Sequence, residues 1–178
     1  MRPVVSLELT LDPESDAVVR TEWAALAEAG LPSQARHTGE SNAPHVTLLV
    51  RSEPTVLAPD RVGRMLPLGM RLGAPVLFGT GAHRTLARLV VPSSSLLDLH
   101  VAVHVEAGAG DDAPHTRPGE WTPHVTLARR LPLDGLATAL AALAARDGID
   151  AAAVAVRRWD ARSRTTETVV GRGTLEPC

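Results

Sequence analysis

The sequence has no lysine and no tyrosine, and aromatic side chains of any kind are rare among its 178 residues. All 18 basic residues are arginines, so only a guanidinium group can make a cationic side-chain contact to a phosphate. The three tryptophans and one phenylalanine are too few for a protein that stacks many bases along a nucleic-acid strand. The formal net charge of −2 also gives no basis for tight non-specific binding to long nucleic acids.

Cysteine is almost absent, since Cys178 at the last position is the only one. It cannot form an internal disulfide, and a terminal thiol is a poor candidate for an active-site nucleophile. The chain has no apolar run long enough to cross a membrane, and its first residues lack the apolar stretch of a signal peptide. We therefore expect a cytoplasmic protein with one domain, residues 1–178, and no membrane or obligatory protein partner.

Hydrophobic periodicity and turn residues predict an α+β fold. Strands are predicted at Pro3–Leu9, His45–Arg51, Leu68–Leu72, Val76–Gly79, Thr85–Val91, Trp121–Arg130, Ile149–Trp159 and Thr165–Val170. Helices are predicted from Asp12 to Gly30, from Ala58 to Met65, from Pro92–Ser95, with a serine cap, to about Glu106, and from Asp134 to Arg146. The order of elements repeats, so we expect a bilobal molecule with two pseudo-symmetric sheet-plus-helix lobes and a central cleft, where small-molecule sites tend to lie.

One pentapeptide, Pro-His-Val-Thr-Leu, occurs twice, at Pro44–Leu48 and at Pro123–Leu127. The repeats are 79 residues apart, and an identical match in so short a chain indicates an internal duplication. Residues i and i+2 of a strand point the same way, so each histidine shares a face with its threonine. We expect His45, Thr47, His124 and Thr126 to face the cleft while the valines and leucines face a core.

This set of side chains suits acid–base chemistry on a phosphodiester. Cleavage without a metal needs a base for the attacking group and an acid for the leaving oxygen, and histidine can hold either role near neutral pH. Threonine hydroxyls can donate hydrogen bonds to the non-bridging phosphoryl oxygens. No cofactor or metal is required by such a site.

Two arginines could add a bidentate contact to the phosphate. Arg51 and Arg130 each follow a motif histidine by six residues, and strand alternation places both on the histidine face. Arg129 would then face away, unless a bulge rotates it. The alternative for both arginines is an ion pair at the end of a strand.

At these residues the sequence resembles the two-histidine (2H) phosphoesterase superfamily, in its 2′-5′ RNA ligase and cyclic phosphodiesterase branch. Trp121–Arg129 is close to the second motif of that branch, and Pro44–Leu48 is close to the first. The resemblance implies a bilobal α+β fold and metal-independent opening of 2′,3′-cyclic phosphates on nucleotides or RNA ends. It implies His45 and His124 as the acid–base pair, Thr47 and Thr126 as phosphate-binding residues, and an arginine at position 129.

Ligation is less well supported by the sequence than hydrolysis. The first motif continues as Leu48-Leu49-Val50, without the aromatic residue and glycine that often follow in ligase-named relatives. Reverse 2′-5′ RNA ligation therefore stays open. An ATP-dependent ligase is not supported, because the chain lacks both lysine and a Walker-type glycine loop.

Further residues are candidates for substrate binding. His37 and His115 lie in the loops that precede the two motifs and either contact substrate or are solvated. Trp121 either stacks on a base at the rim of the cleft or packs in the interior. Trp23 and Trp159 are interpreted as core residues.

Three other functions remain open on the sequence alone. The site could hold a nucleotide phosphate or an RNA end without turnover. It could act on a cyclic oligonucleotide or an ADP-ribose-type substrate. A metallohydrolase is the third, because His100 and His104 are spaced to share a metal on one helix face, although no acidic or cysteine ligand stands at an obvious spacing.

Overall fold

Seven antiparallel strands and four α-helices form the part of the chain that the computed structural model describes, residues 4–39, 41–52, 57, 59–143 and 148–171. The strands are β1 (Val5–Leu11), β2 (His45–Arg51), β3 (Leu68–Phe78), β4 (His83–Val90), β5 (His124–Pro132), β6 (Ile149–Asp160) and β7 (Thr165–Gly171). The α-helices are α1 (Pro13–Glu28), α2 (Pro59–Arg64), α3 (Ser94–Ala107) and α4 (Leu136–Leu143). Short 3-10 helices lie at Gln34–Arg36, Pro114–Thr116 and Leu133–Gly135.

The strands form one sheet in the order β1-β2-β5-β4-β3-β6-β7, and β1 also pairs with β6. The α+β class predicted from the sequence is confirmed, whereas the division into two lobes stays a prediction. Two of the predicted strands, Leu68–Leu72 and Val76–Gly79, are one strand in the structure, because β3 continues through a register shift between Leu72 and Pro75. None of the described helices is long and apolar enough to cross a membrane.

Local sequence explains where the two longest helices begin. The Asp12 carboxylate accepts hydrogen bonds from the backbone N–H groups of Glu14 and Ser15, which caps α1. Ser93 caps α3 in the same way through the N–H of Leu96. Proline at the first position of α1 adds to this, because its missing N–H is not needed there. Helix α4 begins at Leu136, two residues later than predicted, because residues 133–135 form a 3-10 turn. The predicted end of this helix, Arg146, lies outside the described residues.

The internal duplication extends beyond the pentapeptide into the pairing of the strands. In the β1–β2 ladder Glu8 lies opposite Thr47, and in the β4–β5 ladder Ala87 lies opposite Thr126. Glu8 and Ala87 are thus separated by 79 residues, the same separation as between Thr47 and Thr126. Both ladders also break at the same place, one residue after the threonine, where Leu48 and Leu127 are the unpaired extra residues of two β-bulges.

The core lies between this sheet and its helices. Val46, Leu48, Val125 and Leu127 of the two motifs are fully buried in it. Helix α1 packs against α4, β5 and β6, and α3 packs against β2 and β3. The motif strands are therefore held from behind by apolar packing, which fixes the direction of the polar side chains on their other face.

Candidate active site

The two motif strands meet at a single pair, Val46 opposite Val125, which joins β2 to β5. Both valines are the third residue of their pentapeptide, so the two motifs lie side by side, antiparallel, and are related by a local two-fold axis through this pair. His45, Thr47, His124 and Thr126 are all half-buried on the face away from the core. The alternation predicted from the sequence is therefore observed within both motifs, and all four side chains come together on one face.

Each motif histidine is held by a carbonyl two residues before it. His45 Nδ1 lies 2.7 Å from the oxygen of Ala43, and His124 Nδ1 lies 2.7 Å from the oxygen of Thr122. A carbonyl oxygen only accepts, so these contacts assign the N–H to Nδ1 in both rings. Both imidazoles therefore keep Nε2 free for proton transfer, as an acid–base pair requires.

Two tryptophans hold the backbone behind the motif threonines. Trp121 Nε1 donates to the oxygen of Thr47 at 2.9 Å, and Trp23 Nε1 donates to the oxygen of Thr126 at 3.1 Å. The bulges that follow the threonines disturb the ladder at these positions, and the indole groups satisfy carbonyls beside the break. Trp121 also stacks on His100, with ring centroids 3.9 Å apart. Of the two alternatives for Trp121, the structure shows packing, because its half-buried ring lies against His100 and the core.

Two cavities open on either side of Arg129, which lines both. One has a volume of about 390 Å³ and contains His45, Thr47 and His37 in its wall. The other has a volume of about 500 Å³ and contains His124, Thr126 and His115. Both loop histidines predicted from the sequence thus lie in a cavity wall beside the nearer motif histidine.

Each cavity also has one large aromatic side chain in its wall. Trp159 lines the first and Phe78 lines the second, where its ring centroid is 4.5 Å from that of His124. The interpretation of Trp159 as a core residue is wrong, because its position near the end of β6 places it beside Arg157 in the first cavity. Its sequence context, between two charged residues, was the available signal.

The bulges decide which arginines reach the cavities. After Leu48 the side chains of β2 change faces, so Val50 lines the first cavity and Arg51 points into the protein. Arg51 donates to Asp112 at 2.7 Å and to the carbonyls of Ala107 and Gly108 at the end of α3. The expectation that Arg51 faces the phosphate is wrong, and the strand-end ion pair is observed instead.

The same shift occurs in β5, where the bulge at Leu127 turns Arg129 to the histidine face. Arg130 is exposed, has a φ of 58° and lines neither cavity. The expectation for Arg130 failed because strict alternation does not survive an extra residue. The position implied by the resemblance, Arg129, is the one in the cleft.

The surroundings of the two motif histidines differ in charge. His124 has a pKa below the usual value, because burial disfavours its charged form and because His45, His115 and Arg129 add like charge. Its contact with the Thr122 carbonyl acts in the opposite direction. His45 Nε2 lies 3.7 Å from a carboxylate oxygen of Glu8.

The histidine pair on α3 is part of the scaffold behind β2. His100 Nε2 lies 3.0 Å from the oxygen of Leu48 and 2.9 Å from that of Thr116, while both ring nitrogens of His104 face acceptors on Leu48 and Asp112. These nitrogens are engaged in hydrogen bonds to the bulge and its neighbours. In the described part of the chain, no three His, Cys, Asp or Glu side chains converge as they would around a metal ion.

Comparison with known proteins gives matches by structure. No family model and no curated sequence matches the chain. Usb1 from Kluyveromyces marxianus is 14% identical over 94% of this chain and 98% of its own, with a TM-score of 0.51. A crystal structure named only as a phosphoesterase is 17% identical over 94% of both chains, with a TM-score of 0.48.

LigT of E. coli in its apo form is 16% identical over 97% of this chain and all of its own, with a TM-score of 0.48. At these sequence identities the structural similarity establishes the fold alone. The chain has the fold of Usb1 over nearly its whole length, which is the kind of fold that the motif resemblance implies.

Proposed function

We propose that this protein is a metal-independent phosphodiesterase that opens 2′,3′-cyclic phosphates on nucleotides or RNA ends. One observation carries the proposal: both motif histidines are locked by a backbone carbonyl at Nδ1, on the same face of two adjacent strands. A structural histidine has no need of this paired arrangement. An acid–base pair does, because one ring must take up a proton while the other releases one.

The reaction follows from the positions of these groups. One Nε2 removes a proton from water, whose oxygen forms a bond to phosphorus. The bond from phosphorus to one ribose oxygen breaks, and the second Nε2 protonates that leaving oxygen. Thr47 and Thr126 would donate hydrogen bonds to the non-bridging oxygens, and Arg129 between the cavities would balance their negative charge. The product is a phosphate monoester on the 2′ or the 3′ oxygen.

The test is hydrolysis of a panel of 2′,3′-cyclic nucleoside monophosphates in excess EDTA from pH 5 to pH 9. We expect turnover with a bell-shaped pH profile. His45→Ala and His124→Ala should each lower kcat by on the order of a thousandfold or more, and the double variant little further, because the pair acts as a unit. His83→Ala is the matched control, since this histidine is exposed on β4 outside both cavities.

Retention of most activity in either single variant would contradict the assignment of the two histidines. If the unmodified protein binds these nucleotides but does not turn them over, it is a binding module. If it neither binds nor hydrolyses them, cyclic oligonucleotide and ADP-ribose-type substrates are the next panel, under the same EDTA conditions.

A further inference from the structure

A buried glutamate makes the two halves of the candidate site unequal. Glu8 lies on β1 opposite Thr47, and the equivalent place opposite Thr126 on β4 is taken by Ala87. Glu8 is 5% exposed, and it lines the cavity that contains His45. The pentapeptides are identical, so the residues around them must supply any difference between the two histidines.

The contacts of Glu8 are those of an ionised carboxylate. Ser6 Oγ donates to one of its oxygens at 2.6 Å, and Arg157 Nε donates to the other at 2.9 Å. The oxygen that binds Ser6 is also the one 3.7 Å from His45 Nε2. Both donors stabilise negative charge on this buried carboxylate, and its oxygen beside Ser6 also lies toward the reactive nitrogen of the imidazole.

Arg157 reaches the other side of the same ring. Its terminal nitrogen is 3.3 Å from His45 Nδ1, which already donates to Ala43 at the shorter distance of 2.7 Å. The approach of Arg157 is therefore a contact between two donors, and the guanidinium opposes positive charge on the ring. Glu8 and Arg157 thus act on His45 with opposite signs, and Glu8 is on the side of the nitrogen that exchanges the proton.

We propose that Glu8 is a positioning residue that keeps a proton on His45 Nε2, so that His45 is the general acid and His124 the general base in ring opening. This inference rests on the function proposed above. In the hydrolytic step, His124 Nε2 takes the proton from water as the new P–O bond forms. The proton on His45 Nε2 passes to the ribose oxygen as the old P–O bond breaks.

The charges around the other histidine support the same direction. His45, His115 and Arg129 act on His124 with positive charge, and Glu120 lines the same cavity as His124. Glu8 and Arg157 face His45. Burial and the positive charges lower the pKa of His124, which favours its neutral form, as a base requires. Without Glu8, the two rings would compete for the same role.

Two substitutions of opposite sign test the proposal through the pH profile of kcat/KM for a cyclic nucleotide. Glu8→Gln should move the high-pH limb, which reports loss of the acid's proton, to lower pH by about 1 unit. Arg157→Gln should move that limb to higher pH by a similar amount. If the two residues had only a structural role, the substitutions would lower the amount of folded protein and would not move the high-pH limb in opposite directions.

The control is Glu22→Gln, which breaks a different buried ion pair. Glu22 receives two hydrogen bonds from Arg88, at 2.5 and 3.1 Å, and lies outside both cavities. This variant should lose stability yet keep both limbs of the profile within a few tenths of a pH unit. Limbs that stay in place in Glu8→Gln and Arg157→Gln, or that move in the same direction, would overturn the proposal.

A second measurement needs neither turnover nor a variant of the ion pair. In an NMR titration of the unmodified protein, the ring protons of His45 should shift at a higher pH than those of His124. The signals are assigned by their loss in His45→Gln and His124→Gln. If His124 takes up its proton first, the roles are reversed and the proposal fails, even in a protein that hydrolyses cyclic phosphates. If the order holds but nothing is hydrolysed, it is the proposed function that fails.

Discussion

The buried imidazole of His100 should make the protein sensitive to acid. His100 is 2% exposed, stacks on Trp121, and holds the carbonyl of the Leu48 bulge. Burial lowers its pKa to about 4, and the neighbouring His104 contributes in the same direction. In the unfolded chain the same side chain would have a pKa near ~6.5.

The sign and size of the effect follow from these two values. Between pH ~6.5 and about 4 the unfolded state binds a proton that the folded state does not, so stability falls as the pH falls through this window. At about 1.4 kcal/mol for each pH unit, the full loss is about 3 kcal/mol. That is a large part of the ~5–15 kcal/mol that typically holds a domain folded.

The assay is urea denaturation at pH 7.5, 5.5 and 4 for the unmodified protein and for His100→Gln. Glutamine keeps an amide N–H near the place of Nε2 but does not titrate in this range. The unmodified protein should lose about 3 kcal/mol more than the variant between the extremes, whatever their difference at pH 7.5. A His83→Gln control, at an exposed site, should follow the unmodified protein. If the free energy of unfolding had the same pH dependence in His100→Gln and in the unmodified protein, this account would be refuted.

Three further outcomes are expected. Arg129→Gln should lower kcat/KM for cyclic nucleotides about 100-fold, and Arg130→Gln less than about threefold, because Arg129 lines both cavities and Arg130 lines neither. Equal losses in steady-state kinetics would contradict this. Trp159→Ala should raise KM about tenfold with kcat nearly unchanged, because stacking of a base on an aromatic ring contributes about 1–3 kcal/mol to the binding free energy. An unchanged KM would show that Trp159 does not contact the substrate. Asp12→Ala should lower the free energy of unfolding, measured by urea denaturation, by about 1–2 kcal/mol without affecting kcat. The substitution removes the α1 cap and the hydrogen bond from the N–H of Ala152. A smaller loss would mean that water replaces the carboxylate.

The elements that the sequence predicted best are those with strong local signals. The strand His45–Arg51 was predicted with its observed bounds, because a proline and a run of β-branched and apolar residues mark it. Helix α1 was recognised from the Asp12 cap and the proline that follows. The faces of the motif residues were also predictable, since two or three residues are too few for alternation to drift.

The positions of the arginines were not predictable in this way. A single extra residue at each motif exchanges the two faces of the residues directly after it, and leucine at the bulge has no turn signature. Strand β5 shifts register once more beyond its motif, between the pairs Leu86–Ala128 and Arg84–Leu131. Leu48 and Leu127 fit a regular strand as well as a bulged one, so the sequence could not show where alternation ends. The bulges became visible only through the pairing with β1 and β4.

The tryptophans were misassigned for a different reason. Side chains of this size have an apolar body and one polar tip, so sequence alone does not tell packing from ligand contact. Trp121 lies next to a motif but gives its N–H to the backbone of the other motif strand, 74 residues away. Trp159 lies far from both motifs in sequence, and only the pairing of β6 with β1 brings it to the first cavity.

The two halves share a register but differ in the side chains beside the motifs. Glu8 and Ala87 occupy equivalent places opposite the threonines, and Val50 and Arg129 occupy equivalent places after the bulges. One half therefore brings a carboxylate to its histidine, and the other brings a guanidinium to the cleft. In a symmetric site the two histidines would compete equally for the proton, and a phosphoryl group could bind in two equivalent orientations. In the proposed mechanism this difference would remove both ambiguities, because the anion would be drawn toward Arg129 and the proton toward the side of Glu8.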